Sequence, residues 1–555
     1  MKVKRLSICL LMFLVAIPLS AQISIDGRAA AFDSLTNTLV ATIPKKYFYH
    51  DHQLQVTMSP GWTLQHIDEH HSDTDTYSFT NIDARQQYAF EATSTDGSQL
   101  SGQIMFTHLP IIRLQGNFGY DYSKATLTIT DPDKPTSDTL SARIKWRGGI
   151  TNTADRHKRN YKIKFDDDHT FFSLRNDNIW LLDAGQTDLF RFRNKIATEL
   201  WSDMCHHPYY YDQAPQARSS VRGKIVEVFL NNEYVGVYHF SENLDRKQMK
   251  LKKVTPEGQI RGCLYKAEGW GNATMYNPVI PWDNTTETWD VFQVKYPDLS
   301  DNDTTDFSTL CHAIDFVVRS SDSQFRSHVA DYFDLPVIAD YYLFSLVTNA
   351  IDNAGKNMFW AVYDKTTDKK LTPAVWDLDC TMGATWLSQI IRSQYLQPTY
   401  LHELSIKLVQ RLRTLNVAGF NDTISQRYLQ LRTSLLSTDS LTDRYRNVLM
   451  QLNTSGADKR EENRWSGDSD INHSTLSFND ETDYICRWIE EHMQAIDQRK
   501  FSNVMNIPDI YSASKPHQRK DIIYNLNGQR LHKLTTHSPG IYIVNGRKQF
   551  VPASQ

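Results

Sequence analysis

The chain has 555 residues, of which 22% are charged and 12% aromatic, and its formal net charge is −4. A mildly acidic chain without a basic stripe argues against nucleic acid as a partner. The length suits about two to four domains. Beyond Cys9 near the N-terminus, five cysteines remain, Cys205, Cys263, Cys311, Cys380 and Cys486. Their number is odd and their spacings match no disulfide framework or zinc site, so buried thiols are expected, with a single disulfide left open.

Residues 1–21 read as a secretory signal peptide: a basic MKVKR, an apolar core and a small-residue LSA before the expected cut after Ala21. The apolar core, about 14 residues, is short for a membrane span. No later run is apolar for long enough to cross a bilayer, so the mature chain is expected to be secreted, periplasmic or surface-exposed but not transmembrane. Loss of Lys2, Lys4 and Arg5 moves the formal charge to −7.

Residues 22–115 carry short β-branched and aromatic runs, among them QLQVTM, TYSFTN, QYAFEAT and QIMFTHL, separated by turn clusters. This pattern predicts a β-sandwich accessory domain. Residues 116–505 open with alternating strands around a glycine pair, TLSARIKWRGG and NYKIKF. TDLFRFRNKIATELW follows with Phe192, Ile196 and Leu200 on one helical face. IVEVFLNNEYVGVYHF reads as a hairpin. After residue 303 helical periodicity dominates, interrupted by the strand pair MFWAVYD…LTPAVWDLD. The fold class is α+β, with a sheet-rich first half and a helix-rich second half in a bilobal body. Residues 506–555 read as a polar linker and a short β-rich tail of three strands with Asn-Gly turns.

The chemistry concentrates at IDNAGKN, residues 351–357. Asp352 lies where a long apolar helix runs out, and Asn357 immediately precedes MFWAVYD. A hairpin of near-equal arms returns its far end beside its start, so Asp377 and Asp379 are expected near Asn357 and Asp352. On an extended strand 377 and 379 share a face, with Trp376 and Leu378 pointing away. Several carboxylates converging with an amide oxygen suit a hard divalent cation. Each half alone has the alternative reading of a helix end or turn, where Asp and Asn serve local hydrogen bonds.

Asp-x4-Asn, a hairpin and a later aspartate resemble the catalytic and metal-binding segments of protein kinases, although no H-R-D or D-F-G is present, which excludes the standard type. The order IKWRGGIT, KRNYKIKF, NIWLLDAGQTDLFRFRNKIATEL, VEVFLNNEYVGVYHFSENLDR, RGCLYKAEG, NAIDNAGKN and AVWDLDCTMG resembles the CotH kinase family of atypical secreted or coat-associated kinases, over roughly residues 110–500. Two departures stand out: the family's R-G-x-S-like turn is Arg147-Gly148-Gly149-Ile150-Thr151, and its aspartate-aromatic-aspartate-tryptophan run is Asp377-Leu378-Asp379-Cys380.

The resemblance implies an atypical kinase-like core that uses ATP and magnesium, with manganese an alternative. It implies Asp352 as the residue that orients or deprotonates the acceptor hydroxyl. Asn357 and Asp379 would bind metal, with Asp377 a second ligand or structural partner. Lys162 or Lys164 would neutralise the ATP phosphates; they share a strand face, so spacing does not choose, and Lys162 is favoured. Arg147, Gly148 and Gly149 would approach the phosphates through backbone N–H groups. Glu199 would pair with that lysine, or equally lie as a solvated helix glutamate, as would Arg193 and Lys195. Glu242 would lie near the adenine. The expected activity is transfer of the ATP γ-phosphoryl group to hydroxyls of secreted or surface proteins. The alternatives are a non-catalytic surface binding or assembly protein on a kinase-like frame and, last, a D-x-D glycosyltransferase.

Overall fold

The computed structural model describes residues 23–503 apart from 69, 73–74, 150–151, 300–301 and 386–396, together with four short strands between 523 and 551. The expected signal segment, Ile150 and Thr151, the linker from 506 to 522 and the Asn-Gly turns of the tail lie outside the described residues. The chain divides into two compact units. One comprises the described residues of 1–115 with 126–140 and 228–234; the other comprises 116–125, 141–227 and those of 235–555.

In the first unit, ten strands precede residue 110: β1 (Ile23–Ile25), β2 (Arg28–Ala29), β3 (Ala31–Asp33), β4 (Thr38–Thr42), β5 (His52–Met58), β6 (Trp62–Ile67), β7 (His70–Ser72), β8 (Thr76–Phe79), β9 (Tyr88–Ser94) and β10 (Gln99–Thr107). They form two five-stranded sheets, β2-β1-β5-β8-β7 and β3-β4-β10-β9-β6. Alternation along β5 and β9 supplies Leu54, Val56, Tyr88, Phe90 and Ala92 to one shared core. There Phe79 meets Tyr88 and Phe106 edge-on at 5.1 and 5.2 Å, the arrangement aromatic quadrupoles favour.

Seven further strands close into a barrel: β11 (Ile111–Gly116), β12 (Ser123–Thr130), β13 (Ser137–Arg147), β14 (Asn160–His169), β15 (Asp177–Asp183), β16 (Gly223–Leu230) and β17 (Glu233–Ser241). In β14, Tyr161, Ile163 and Phe165 are buried, while Lys162 and Lys164 take the alternate, half-exposed positions. The register sets Lys162 opposite Lys145 and Leu181, Arg147 opposite Asn160, and Asp183 opposite His239. Period two therefore gathers Arg147, Asn160, Lys162, Leu181, Asp183, His239 and Ser241 on one polar face of the barrel wall.

The second sheet has the order β19-β20-β18-β21-β22, from β18 (Cys263–Ala267), β19 (Thr288–Trp289), β20 (Phe292–Tyr296), β21 (Met358–Val362) and β22 (Thr372–Val375). Among the described residues the α-helices are α1 (Arg193–Met204), α2 (Ser308–Arg319), α3 (Asp322–Tyr332), α4 (Leu335–Thr348), α5 (Lys407–Thr414), α6 (Phe420–Arg432), α7 (Thr438–Ser455), α8 (Ala457–Trp465) and α9 (Phe478–Lys500). The fold is thus mixed α+β. Every α4 residue from Val337 to Thr348 is buried, so this helix, apolar nearly all round, runs through the interior. Phe192, Ile196 and Leu200 are buried at α1 as their spacing predicts. The tail forms four strands, β23 (Ile523–Asn525), β24 (Arg530–Leu531), β25 (Gly540–Val544) and β26 (Arg547–Val551), one more than the sequence pattern suggests.

Ionic contacts inside the second unit tie its barrel strands to its helices. Glu461 of α8 is fully buried; its Oε1 accepts from Lys158 Nζ at 2.8 Å and Arg191 Nε at 2.7 Å, and its Oε2 accepts from Val237 N at 2.8 Å. Gly236 has φ +109, and a Cβ there would lie 2.0 Å from Glu461 Oε2, so only glycine fits. Truncating one partner of a buried pair strands the other charge. Glu461→Ala leaves two buried cations and is expected to lower unfolding stability by about 3–5 kcal/mol, read from urea denaturation; an effect below about 1 kcal/mol would show that the contact behaves as a surface pair.

Candidate active site

Helix α4 ends at Asn349, which takes the left-handed conformation with φ 52, a common stop for Asn. One 3-10 turn, Ile351–Asn353, follows and brings Asp352 to the edge of the interior. Asn357, also left-handed at φ 52, donates its backbone N–H to Ala267 O at 2.9 Å and starts β21 beside β18. Within the loop, Asn357 Nδ2 donates to Asp352 Oδ2 at 2.8 Å, which leaves the Asn357 amide oxygen available to a cation. Lys356 Nζ lies 3.0 Å from the same Asp352 oxygen. Burial works against the Lys356 charge, but the Asp352 carboxylate outweighs it and holds the ammonium above its usual value. Asn353, expected to be only a turn residue, is buried and donates to Asn357 O and Trp376 O at 2.9 and 2.8 Å. It clamps the loop to the far end of the hairpin.

The hairpin pairs Met358 with Val375 and Phe359 with Ala374, so the chain returns beside Asn357. The strand ends at Val375, however, and Asp377 is left-handed with φ 58. Strand alternation therefore does not set the two aspartates on one face; a turn does. Leu378 is buried, and its N–H is held by Asn194 Oδ1 at 3.0 Å. Asn194 in turn donates to Asp183 Oδ2 at 2.6 Å, which brings the end of β15 to the same place.

Asp183 and Asp352 are close enough to perturb Asp377 and Asp379. Desolvation pushes the Asp379 carboxyl well above the usual carboxylate range, and Asp377, Asp183, Asp188 and Asp352 push it further. Asp377 is raised too, by desolvation first, with Arg147 opposing and Asp183 and Asp352 adding. Asp377 is exposed to water and Asp379 half-exposed. The same carboxylates and burial hold the Cys380 thiol protonated. All five later cysteines are free thiols.

The polar barrel face adjoins the acids and carries one of them, Asp183. Arg147, Asn160, Leu181, Asp183, Asn194, Thr198, His239, Ser241, Trp376 and Asp377 line one recess. The Arg147 guanidinium sits 5.3 Å from the Trp376 ring. Lys162 is lowered by burial and by its cationic neighbours Lys145, Arg147 and Lys295, with Asp245 opposing; among the described residues it makes no ion pair. Gly148 has φ +113 and, with Gly149, forms an exposed turn after Arg147.

Other sequence-predicted residues fall elsewhere. Lys164 is two positions along β14, opposite Arg143 and Ile179, and neither it nor Lys162 is among the residues that line the recess. Glu199 pairs with Lys195 one turn earlier on α1, at 2.6 Å, and not with Lys162. Arg193 is wholly buried with Asp188 and Glu481. Glu242 is buried, and its two oxygens accept from Arg175 N, Arg222 N, Arg222 Nη2 and Gln248 Nε2 at 2.9–3.0 Å. Its lone pairs are used in joining β17 to its surroundings, and none faces a base. Sequence reasoning missed Asp183, Asn194 and Lys356. WLLDAG does signal a strand ending in a polar turn, but its Asp183 gains meaning only through Asn194.

The donor set fits a hard divalent cation: carboxylate and amide oxygens converge, their mutual repulsion lacks a compensating charge beyond Arg147 and the lysines, and the nearby thiol is protonated. His157, Asp468 and Asp470 also cluster, but they satisfy one another and neighbouring backbone N–H groups: His157 Nδ1 meets Asp468 at 2.8 Å, and Asp470 Oδ2 accepts from His157 N and Lys158 N.

Among known proteins, the family profile described as CotH kinase protein matches residues 144–496, most of the chain. No curated protein matches it.

The raised Asp379 carboxyl has a stability consequence. It binds its proton more tightly in the folded chain than in the unfolded one, so its contribution is greatest at low pH. That contribution is lost as pH rises from about 4 toward the folded value. Asp379→Asn removes the repulsion. In metal-free buffer at pH 8 it is expected to stabilise the protein by on the order of 1 kcal/mol, a gain that shrinks as pH is lowered; thermal melts across the pH range report it.

Proposed function

Since the chain belongs to the CotH kinase family, we propose that it is an atypical kinase that moves the γ-phosphoryl group of ATP to a hydroxyl of a secreted or surface protein. The observation that carries this reading is the gathering of Asp352, Asn357, Asp377 and Asp379 at the end of the hairpin, beside a recess whose barrel wall carries Arg147, with Lys162 on the same barrel face. A triphosphate needs positive charge along its chain, and a transferred phosphoryl group needs an oriented nucleophile; the barrel face and the hairpin end offer one each.

In this reading Asp352 orients the acceptor hydroxyl and takes its proton as the new P–O bond forms. Lys162 and Arg147 neutralise phosphate oxygens; burial among like charges leaves Lys162 in want of an anion. Asn357, Asp377 and Asp379 would hold the magnesium or manganese ion, which when bound would draw charge from the phosphate oxygens. Asn194 and Asn353 keep the two acidic segments in place through Leu378 N and Trp376 O. The chemistry is positioning and charge neutralisation, with no covalent enzyme intermediate. The N-terminal segment supports action outside the cytoplasm, with the β-sandwich and the β-rich tail as accessory parts.

Labelled ATP, Mg²⁺ or Mn²⁺ and candidate surface proteins provide the test. Wild type is expected to label acceptors, and Asp352→Ala and Asp379→Ala to lose about 10²–10⁴-fold of the rate. Equal labelling by all three proteins would refute the assignment. Metal-dependent ATP binding without transfer would instead identify a binding protein on the same frame, and transfer only from a nucleotide sugar a glycosyltransferase.

A further inference from the structure

Lys356 has no part in the reaction as described, yet its ammonium is the cation paired with Asp352. Its Nζ lies 3.0 Å from Oδ2 and 3.4 Å from Oδ1. Asn357 Nδ2 reaches the same Oδ2 at 2.8 Å. The two carboxylate oxygens are therefore unequal. Oδ2 takes two good donors, which fills its lone pairs; Oδ1 has one contact beyond ordinary hydrogen-bond length. Both side chains reach the surface of the site, with Asp352 12% and Lys356 30% exposed.

The backbone fixes this pairing. Gly355 has φ +151, and a Cβ there would stand 2.8 Å from Met275 Sδ and 3.0 Å from the Trp270 ring. The chain can double back at this point only as glycine, and in doing so it returns Lys356 over the carboxylate four residues earlier. Asn353 holds the same turn from beneath through Asn357 O.

We infer that Lys356 is a positioning residue for phosphoryl transfer, locking Asp352 so that Oδ1 is the oxygen presented to the acceptor hydroxyl. The inference rests on the kinase reading above. In the step it serves, the acceptor oxygen forms a bond to the γ-phosphorus and the bond from that phosphorus to the β–γ bridging oxygen breaks. ADP leaves with that electron pair, and the acceptor proton passes to Oδ1. An ammonium on Oδ2 stops the carboxylate from rotating its free oxygen away. A partly exposed i,i+4 pair contributes little to stability, so the kinetic role separates from the structural one.

The test uses the full chain with MgATP, following phosphate release to water and phosphorylation of dephosphorylated casein. Lys356→Met is expected to lower kcat about 10- to 100-fold, with KM for ATP within about twofold and the melting temperature within about 2 °C of wild type. Lys356→Arg, which keeps the charge, is expected to recover much of kcat; if Lys356→Met melts early, that recovery decides. Wild-type kcat in Lys356→Met, a loss confined to KM, or an Arg variant no better than Met overturns the assignment. Turnover by Asp352→Ala equal to wild type overturns the kinase reading itself, and a wild type with no turnover on either acceptor overturns both.

Discussion

The site depends on how the loop from Gly185 to Arg193 is nailed down by buried charge. Arg191 binds Glu461 of α8 and the carbonyls of Gly185 and Gln186. Arg193 binds Asp188 within the loop and Glu481 of α9. Arg191 is left-handed at φ 67, and a Cβ on Gly185 would lie 2.1 Å from Arg191 O. The loop is thus folded tightly on itself, with one arginine reaching each of two helices. Isolated buried charges are costly, and paired ones are neutral at best. The value of this network lies in position, because its removal would free the residues on either side of it.

Those residues are Asp183, just before the loop, and Asn194, just after it. Their hydrogen bond closes the loop at its base, and the remaining Asn194 oxygen holds Leu378 N between the two hairpin aspartates. Two hydrogen bonds of Asn194 therefore connect the loop held by the buried ion network to the acidic segment. The reward for this rigidity is an arrangement that would otherwise fly apart. Four carboxylates converge there, and desolvation together with the neighbouring charges raises the proton affinity of Asp377 and Asp379. Such a cluster is held by its surroundings, as strain at functional sites commonly is.

Much of this was legible from residues alone. The apolar run 335–351, the polar IDNAGKN and the two strands MFWAVYD and LTPAV form helix, loop and hairpin, because each pattern is local and strong. Hairpin closure then follows from arm length, which is why Asp377 was expected beside Asn357. What failed was finer. Extending strand alternation to residues 377 and 379 ignored the left-handed turn at Asp377, a conformation that Asp tolerates but no periodicity reveals. Glu199 looked like a kinase helix glutamate by order, yet its nearest cation is the lysine one turn earlier, the cheapest partner in entropy. Glu242 looked available because sequence cannot show that Arg175, Arg222 and Gln248 already consume its lone pairs. Asp183 was missed for the opposite reason: its partner lies eleven residues on, across a loop whose shape is set by helices more than 250 residues away.

This division has a bearing on what family order means here. In NIWLLDAGQTDLFRFRNKIATEL, Arg191 and Arg193 serve the buried network, and Phe192, Ile196 and Leu200 serve packing. Gly185 serves the turn, and Asp183 and Asn194 link the segment to the acids by hydrogen bonds. The long motif is mostly a specification of scaffold, whereas the proposed chemistry rests on short, degenerate pieces such as Asp352, Lys356 and Asn357. A chain could keep the scaffold and lose turnover through one change in the second set. Here the ammonium and the amide both bond the Asp352 carboxylate, and Asp377 and Asp379 stand close enough to repel each other. Repulsion of that kind is hard to account for as packing, since any neutral residue at 379 would relieve it. That repulsion is the strongest physical argument that the site would receive positive charge.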